Sequence, residues 1–190
     1  MKGRREKGQY GYRNYHKRMQ SVKVLFGAAM ILIQLGARNF TDNEAVKNVL
    51  TLMAILSVLP TANVASPLLA SWKYKTPSYE FYEKVKAWEK NGVIVYDLII
   101  TSKEQIMPMD ALMVHSTGVF AYCSQARVDS KKAETYLKDT FKSQGMQPSI
   151  KVIKDEKEFL KQISNLKPDC QINDDKNFDP RINVLKNLSM

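Results

Sequence analysis

The stretch Asn48–Trp72, NVLTLMAILSVLPTANVASPLLASW, runs for 25 residues without one charged side chain. A helix needs about 20 predominantly apolar residues to cross the hydrocarbon core of a bilayer, so the run predicts a transmembrane helix from about Asn43 to Trp72. Thr41, Asp42 and Asn43 are candidate N-caps for it. Pro60 and Pro67 lie inside it. Membrane helices tolerate both, because neighbouring groups re-satisfy the freed carbonyls, and a kink is expected near Pro60. At its far end Trp72 and Tyr74 stand beside Lys73 and Lys75, a pattern suited to the headgroup region.

Upstream, residues 19–37 form a second apolar segment, interrupted only by Lys23. At about 1.5 Å per residue it spans roughly 28 Å, close to the thickness of the core. Lys23 can snorkel to the headgroups, whereas Gln34 calls for a partner helix. The formal charge of +10 is concentrated before this segment: residues 1–23 hold eight Lys or Arg against one acid. Residues 75–190 hold 18 basic and 16 acidic side chains, so they are nearly neutral. A basic arm directly before an apolar segment stays on the cytoplasmic side. The expectation is a cytoplasmic arm (1–18) and a transmembrane hairpin (19–74) in a bacterial-type plasma membrane, both termini cytoplasmic. Arg13, Lys17, Arg18, Trp72 and Lys73 are the candidate interface residues, and the lipid bilayer is the first expected partner. A cleaved signal peptide is disfavoured by the length of the arm and by the second apolar run at once behind the first. A soluble hairpin packed on the rest of the chain is the other reading, since the first segment is short. Ala62, Ser66 and Ala70 form a small-residue stripe through which helices of a homo-oligomer could approach closely.

The arm also interleaves Tyr10, Tyr12 and Tyr15 with Arg13, His16, Lys17 and Arg18. Rings among cations stack on unpaired bases, which keeps RNA and single-stranded DNA among the partner classes. A lipid-facing arm, drawn to anionic headgroups by about 1 kcal/mol per basic residue, explains the same residues, and the near-neutral C-terminal part does not indicate nucleic acid.

From Lys75 the chain reads as one α/β domain, 75–167, followed by a polar tail, 168–190, with a short apolar segment at Ile182–Leu188. Thr76-Pro77-Ser78 opens a helix whose Phe81, Tyr82, Val85 and Trp88 share a face. Val93–Ile100 is almost wholly apolar, as a strand covered on both faces would be. Met109–His115 and Val119–Ser124 read as strands joined by a turn at Gly118. Asp129 or Ser130 caps a helix ending at Gly145; Ser149–Lys154 is a strand, and Asp155 opens a last helix. The expected order is α-β-β-β-α-β-α.

Met109-Asp110-Ala111-Leu112-Met113-Val114, followed by Gly118-Val119-Phe120-Ala121-Tyr122, resembles the paired strands of the restriction-endonuclease-like superfamily, especially its nuclease-related domains. The resemblance spans roughly residues 79–154. It implies a small three-layer fold and a Mg²⁺ site in which two carboxylates hold the ion and a Lys positions water. Asp110 matches the first acid. Cys123 stands where the second acid would be and Gln125 where the Lys would be, both expected on one strand face. A thiol is a poor ligand for a hard cation, so a catalytically silent, vestigial site is expected, with no cofactor. A migrated active site drawing on Asp97, Arg127, Lys131 or Lys132 is the alternative, and would be a Mg²⁺-dependent nuclease. An α/β domain unrelated to nucleases is the third reading. His115 is expected to hydrogen-bond at a sheet face. Cys123 is expected to be an inert core thiol, unpaired with Cys170 in a reducing compartment. The sequence contains no Gly-rich phosphate loop and no zinc-type cluster. These readings converge on a membrane-anchored, non-catalytic binding or scaffold module with a protein partner.

Overall fold

The computed structural model describes residues 5–168 and 180–190. It divides into two units: Asn14–Tyr74, and a second built from residues 1–13 together with Lys75–Met190.

The first unit is a helical hairpin. Helix α1 is Tyr12–Asn39 and α2 is Glu44–Ser71, with Asn43 as the α2 N-cap accepting from the Ala45 amide. Both helices are long and apolar enough to cross a membrane. Their apolar windows are almost entirely exposed, 0% and 6% buried. Most hydroxyls of the hairpin bond within their own helix, whereas Gln20 Oε1 is buried without a hydrogen bond. The hydroxyls of Ser21, Thr51, Ser57 and Thr61 each lie within 3 Å of the carbonyl four residues back. This is the arrangement a non-aqueous solvent demands. Gln34 finds its partner across the hairpin, with Oε1 3.4 Å from Ser57 Oγ. The helices meet closely at Gly27, where a Cβ would fall 2.4 Å from Thr61 Oγ1. Ala54, Leu68 and Ser71 are buried, whereas Ala62 and Ser66 are exposed, so the small-residue stripe is not the face the hairpin uses.

The second unit is α/β. Its elements are α3 (Tyr79–Lys86), β1 (Val93–Thr101), β2 (Ile106–His115), β3 (Gly118–Tyr122), α4 (Ser130–Ser143), β4 (Ile150–Ile153), α5 (Glu156–Ser164) and α6 (Pro180–Leu188). The order read from the sequence is the order observed, with α6 added. Ser78, Asp129 and Asp155 are the N-caps of α3, α4 and α5. The sheet runs β1-β2-β3-β4, antiparallel except for the β3/β4 pair, which α4 connects in parallel. One face packs Leu98, Leu112, Ala121 and Val152 against Ala133, Leu137 and Phe141 of α4 and Ile182 and Leu185 of α6. The other packs Tyr96, Met113 and Phe120 against Phe81 and Val85 of α3 and Phe159 and Ile163 of α5. Gly118, at φ 154°, lets β3 approach β4: a Cβ there would lie 2.3 Å from the Ser149 carbonyl oxygen.

Two domain boundaries differ from expectation. Residues 180–190, expected to belong to a polar tail, include α6, whose Ile182 and Leu185 are fully buried in the core. The arm is not a free segment either. Tyr12 already begins α1, and the Tyr96 amide donates to Gly8 O at 2.8 Å along the outer edge of β1. The Met190 amide donates to Ile99 O at 3.0 Å on that same edge. Both chain ends therefore cover an edge that would otherwise expose unpaired backbone groups. Lys7 Nζ adds a bond to Ser189 O at 2.7 Å, and burial lowers its pKa.

Candidate functional site

The pairings Tyr96↔Ala111 and Leu98↔Met109 set Asp97 opposite Asp110 on neighbouring strands. The ladder is broken at this point. Asp97 has φ 59°, a left-handed backbone that Asp tolerates better than most residues. Val95 and Leu98 face the same core cluster, as do Met109 and Leu112, so the alternation of both strands slips here. Two carboxylates are thus brought together inside an otherwise apolar sheet, 2% and 3% exposed. Asp110 lies well inside β2, which begins at Ile106, and not at a strand start as the sequence suggested.

Such a pair requires a cation, and the arm supplies it. Arg13, only 3% exposed, places Nη1 3.0 Å from Asp110 Oδ1 and 2.6 Å from the Lys75 carbonyl. Its Nη2 donates to Met109 O at 3.0 Å and reaches Leu98 O at 3.4 Å. Nε lies 3.8 Å from Asp97 Oδ1, and neither of these two atoms has a hydrogen bond. The other Asp97 oxygen accepts from the Gly11 amide at 2.7 Å and the Thr76 hydroxyl at 2.9 Å. Asp110 Oδ2 accepts from the Ser124 amide at 2.9 Å. Burial raises the Asp97 carboxyl pKa, against the opposing pull of the Arg13 charge and of these donors. Arg13 was expected at the membrane interface; the structure puts it in the interior of the α/β unit, where its guanidinium faces two buried carboxylates.

The remaining sequence candidates separate. Cys123 is fully buried, and burial pushes its thiol pKa up. Its amide extends the ladder to Ile153 O at 3.0 Å, but β3 ends at Tyr122 and Gln125 sits in an exposed loop. The expected common strand face of Cys123 and Gln125 is therefore absent: the chain turns toward α4 one residue after the strand. Cys170 lies outside the described residues. His115 Nε2 is 3.1 Å from Lys167 O, so it carries the proton, and Nδ1 accepts from Thr117 Oγ1 at 2.7 Å. The imidazole is held by hydrogen bonds at the end of the sheet.

Among the interface residues, Lys17 bonds the Trp72 carbonyl at 2.9 Å and also the Tyr74 carbonyl. Arg18, Trp72 and Lys73 are exposed. Two of the three arm tyrosines are committed internally. Tyr10 stacks on Tyr82 at 4.3 Å and donates to Pro77 O at 2.9 Å, while Tyr12 is buried.

The Mg²⁺ implied by the resemblance does not fit these groups. The inner Asp110 oxygen is occupied by a guanidinium, the neighbouring thiol is soft, and Asp97 turns one oxygen to the Gly11 amide and the Thr76 hydroxyl. Among the described residues, no group of three or more His, Cys, Asp or Glu is arranged to hold a metal. The sequence offered Asp97, on a nearby strand, only as a contributor to a migrated site, and put Arg13 at the membrane interface. The signal was an acid in the middle of Val-Ile-Val-Tyr-Asp-Leu-Ile-Ile, which no buried strand carries without a partner. Comparisons with protein-family models, with curated proteins and with solved structures find no match to this chain.

Proposed function

We propose that the chain is a membrane-anchored binding module, its α/β unit carried at the cytoplasmic face by the hairpin and acting without turnover. The observation that carries this is the Arg13–Asp110 ion pair at 3.0 Å, which commits the one acid that a nuclease-like site would offer a metal. The observed α-β-β-β-α-β order, with its parallel β3/β4 pair, supports descent from the restriction-endonuclease-like superfamily with loss of the second acid and the Lys. The exposed apolar windows support insertion, and the basic residues before α1 support termini on the cytoplasmic side of a bacterial-type plasma membrane. The partner is a protein or a second copy of the chain.

The test uses the full chain in detergent micelles: calorimetry with Mg²⁺ and Mn²⁺, and cleavage assays on DNA and RNA, with Asp110→Ala as control. No heat of binding and no cleavage are expected. Saturable binding together with cleavage, both lost in Asp110→Ala, would establish the nuclease reading instead. That reading has one observation in its favour, the Asp97 carboxylate opposite Asp110.

A further inference from the structure

The disagreement between the Asp97–Asp110 pair and a metal has a positive counterpart. Five oxygens converge on Arg13: Asp110 Oδ1, Asp97 Oδ1 and the carbonyls of Lys75, Leu98 and Met109. A guanidinium carries five N–H donors in a rigid plane and no acceptor, so its donors match this set in number. An ammonium has three donors and would leave buried oxygens unpaired. A divalent cation such as Mg²⁺ demands near-octahedral oxygens at about 2.0–2.1 Å, which carbonyls fixed in a β-ladder cannot adjust to give. The Leu98 and Met109 carbonyls, next to the slip at Asp97 and Asp110, both accept from Arg13. The fit in cis is incomplete, since Asp97 Oδ1 is buried without a hydrogen bond and Arg13 Nε faces it from 3.8 Å.

We propose that Asp97, Asp110 and the carbonyls of Lys75, Leu98 and Met109 form a guanidinium-binding site, filled in cis by Arg13. The site selects an arginine side chain over lysine and over divalent cations. Residues 5–13 are then an internal ligand, which keeps the site closed to a free guanidinium in the intact chain. The inference extends the binding reading above to a ligand class.

The experiment uses full-length Arg13→Ala in micelles, which opens the site while keeping both carboxylates. Thermal midpoints are measured with N-ethylguanidinium, ethylammonium and Mn²⁺ at matched ionic strength. N-ethylguanidinium should raise the midpoint saturably, by about 5 °C at ten times half-saturation. Ethylammonium should have no saturable effect, the wild type should not respond, and Arg13→Ala combined with Asp110→Asn should lose the response. An equal response to ethylammonium, a response in the wild type, or no response to N-ethylguanidinium overturns the proposal. If Arg13→Ala is recovered only as aggregate, refolding yield replaces the midpoint, and failure of N-ethylguanidinium to outperform ethylammonium is equally fatal. Absence of any ligand effect removes this inference and leaves the non-catalytic reading intact; saturable Mn²⁺ binding with cleavage removes both.

Discussion

Replacing Arg13 with Met tests whether the arm is a structural part of the α/β unit. The substitution keeps much of the side-chain volume and removes only the charged head. It deletes the Asp110 contact at 3.0 Å, the Lys75 carbonyl contact at 2.6 Å and the Met109 carbonyl contact at 3.0 Å. Asp110 and Asp97 are left buried without their cation. Breaking one partner out of a buried pair costs about 3–5 kcal/mol, because the surviving charge stays desolvated. For a domain of this size that is a fall of roughly 10–20 °C in the unfolding midpoint. Removing all three charges, Arg13→Met with Asp97→Asn and Asp110→Asn, should recover more than half of the loss, since no net charge then remains inside. Trp88 fluorescence in a Trp72→Phe background reports the α/β unit alone, with the full chain in micelles. A single-variant cost below about 1 kcal/mol, the range of an exposed pair, would refute burial of the triad. A triple variant less stable than the single one would refute the charge account.

Two further outcomes follow from the same interior. Burial raises the Asp97 pKa, so the proton it binds favours the folded state: that contribution is complete below the unfolded value of about 3.9 and fades as pH rises through the folded value. The stability of the wild type relative to Asp97→Asn should therefore fall as pH rises above about 4, and denaturant titrations showing it rise would contradict the assignment. Cys123 combines full burial with a raised thiol pKa, so a Cys170→Ser chain should react with an aromatic disulfide reagent at least on the order of 10³ slower when native than in denaturant. Rapid native labelling would mean that the β3 end opens readily.

The local signals that were read correctly are those carried by short stretches. Asp155 caps α5 as read, and Asn43 and Asp129 are each one of the candidates named, because a side-chain oxygen can reach an orphan amide only two or three residues on; α3 starts later than read, with Ser78 as its cap and Pro77 outside the helix. Alternation and apolar runs located all four strands, missing the first three residues of β2, where Pro108 interrupts the pattern. Ile182–Leu188 was noted as apolar but left in the tail, since so short a segment does not announce what it packs against.

The sequence by itself determined the two exposed apolar helices, the charge asymmetry and the α/β element order, all of which depend on neighbours in the chain. The partners of the buried charges were decided only in three dimensions. Arg13 lies 84 residues from Asp97 and 97 from Asp110 in the chain, and no periodicity connects them. A basic arm before a membrane helix has a sufficient explanation in topology, so nothing local singles out one arginine from its neighbours. What singles it out is a slip in the β1/β2 ladder that turns two acids toward one point, beside the Leu98 and Met109 carbonyls. A low-dielectric interior then admits those acids only together with a cation of matching shape.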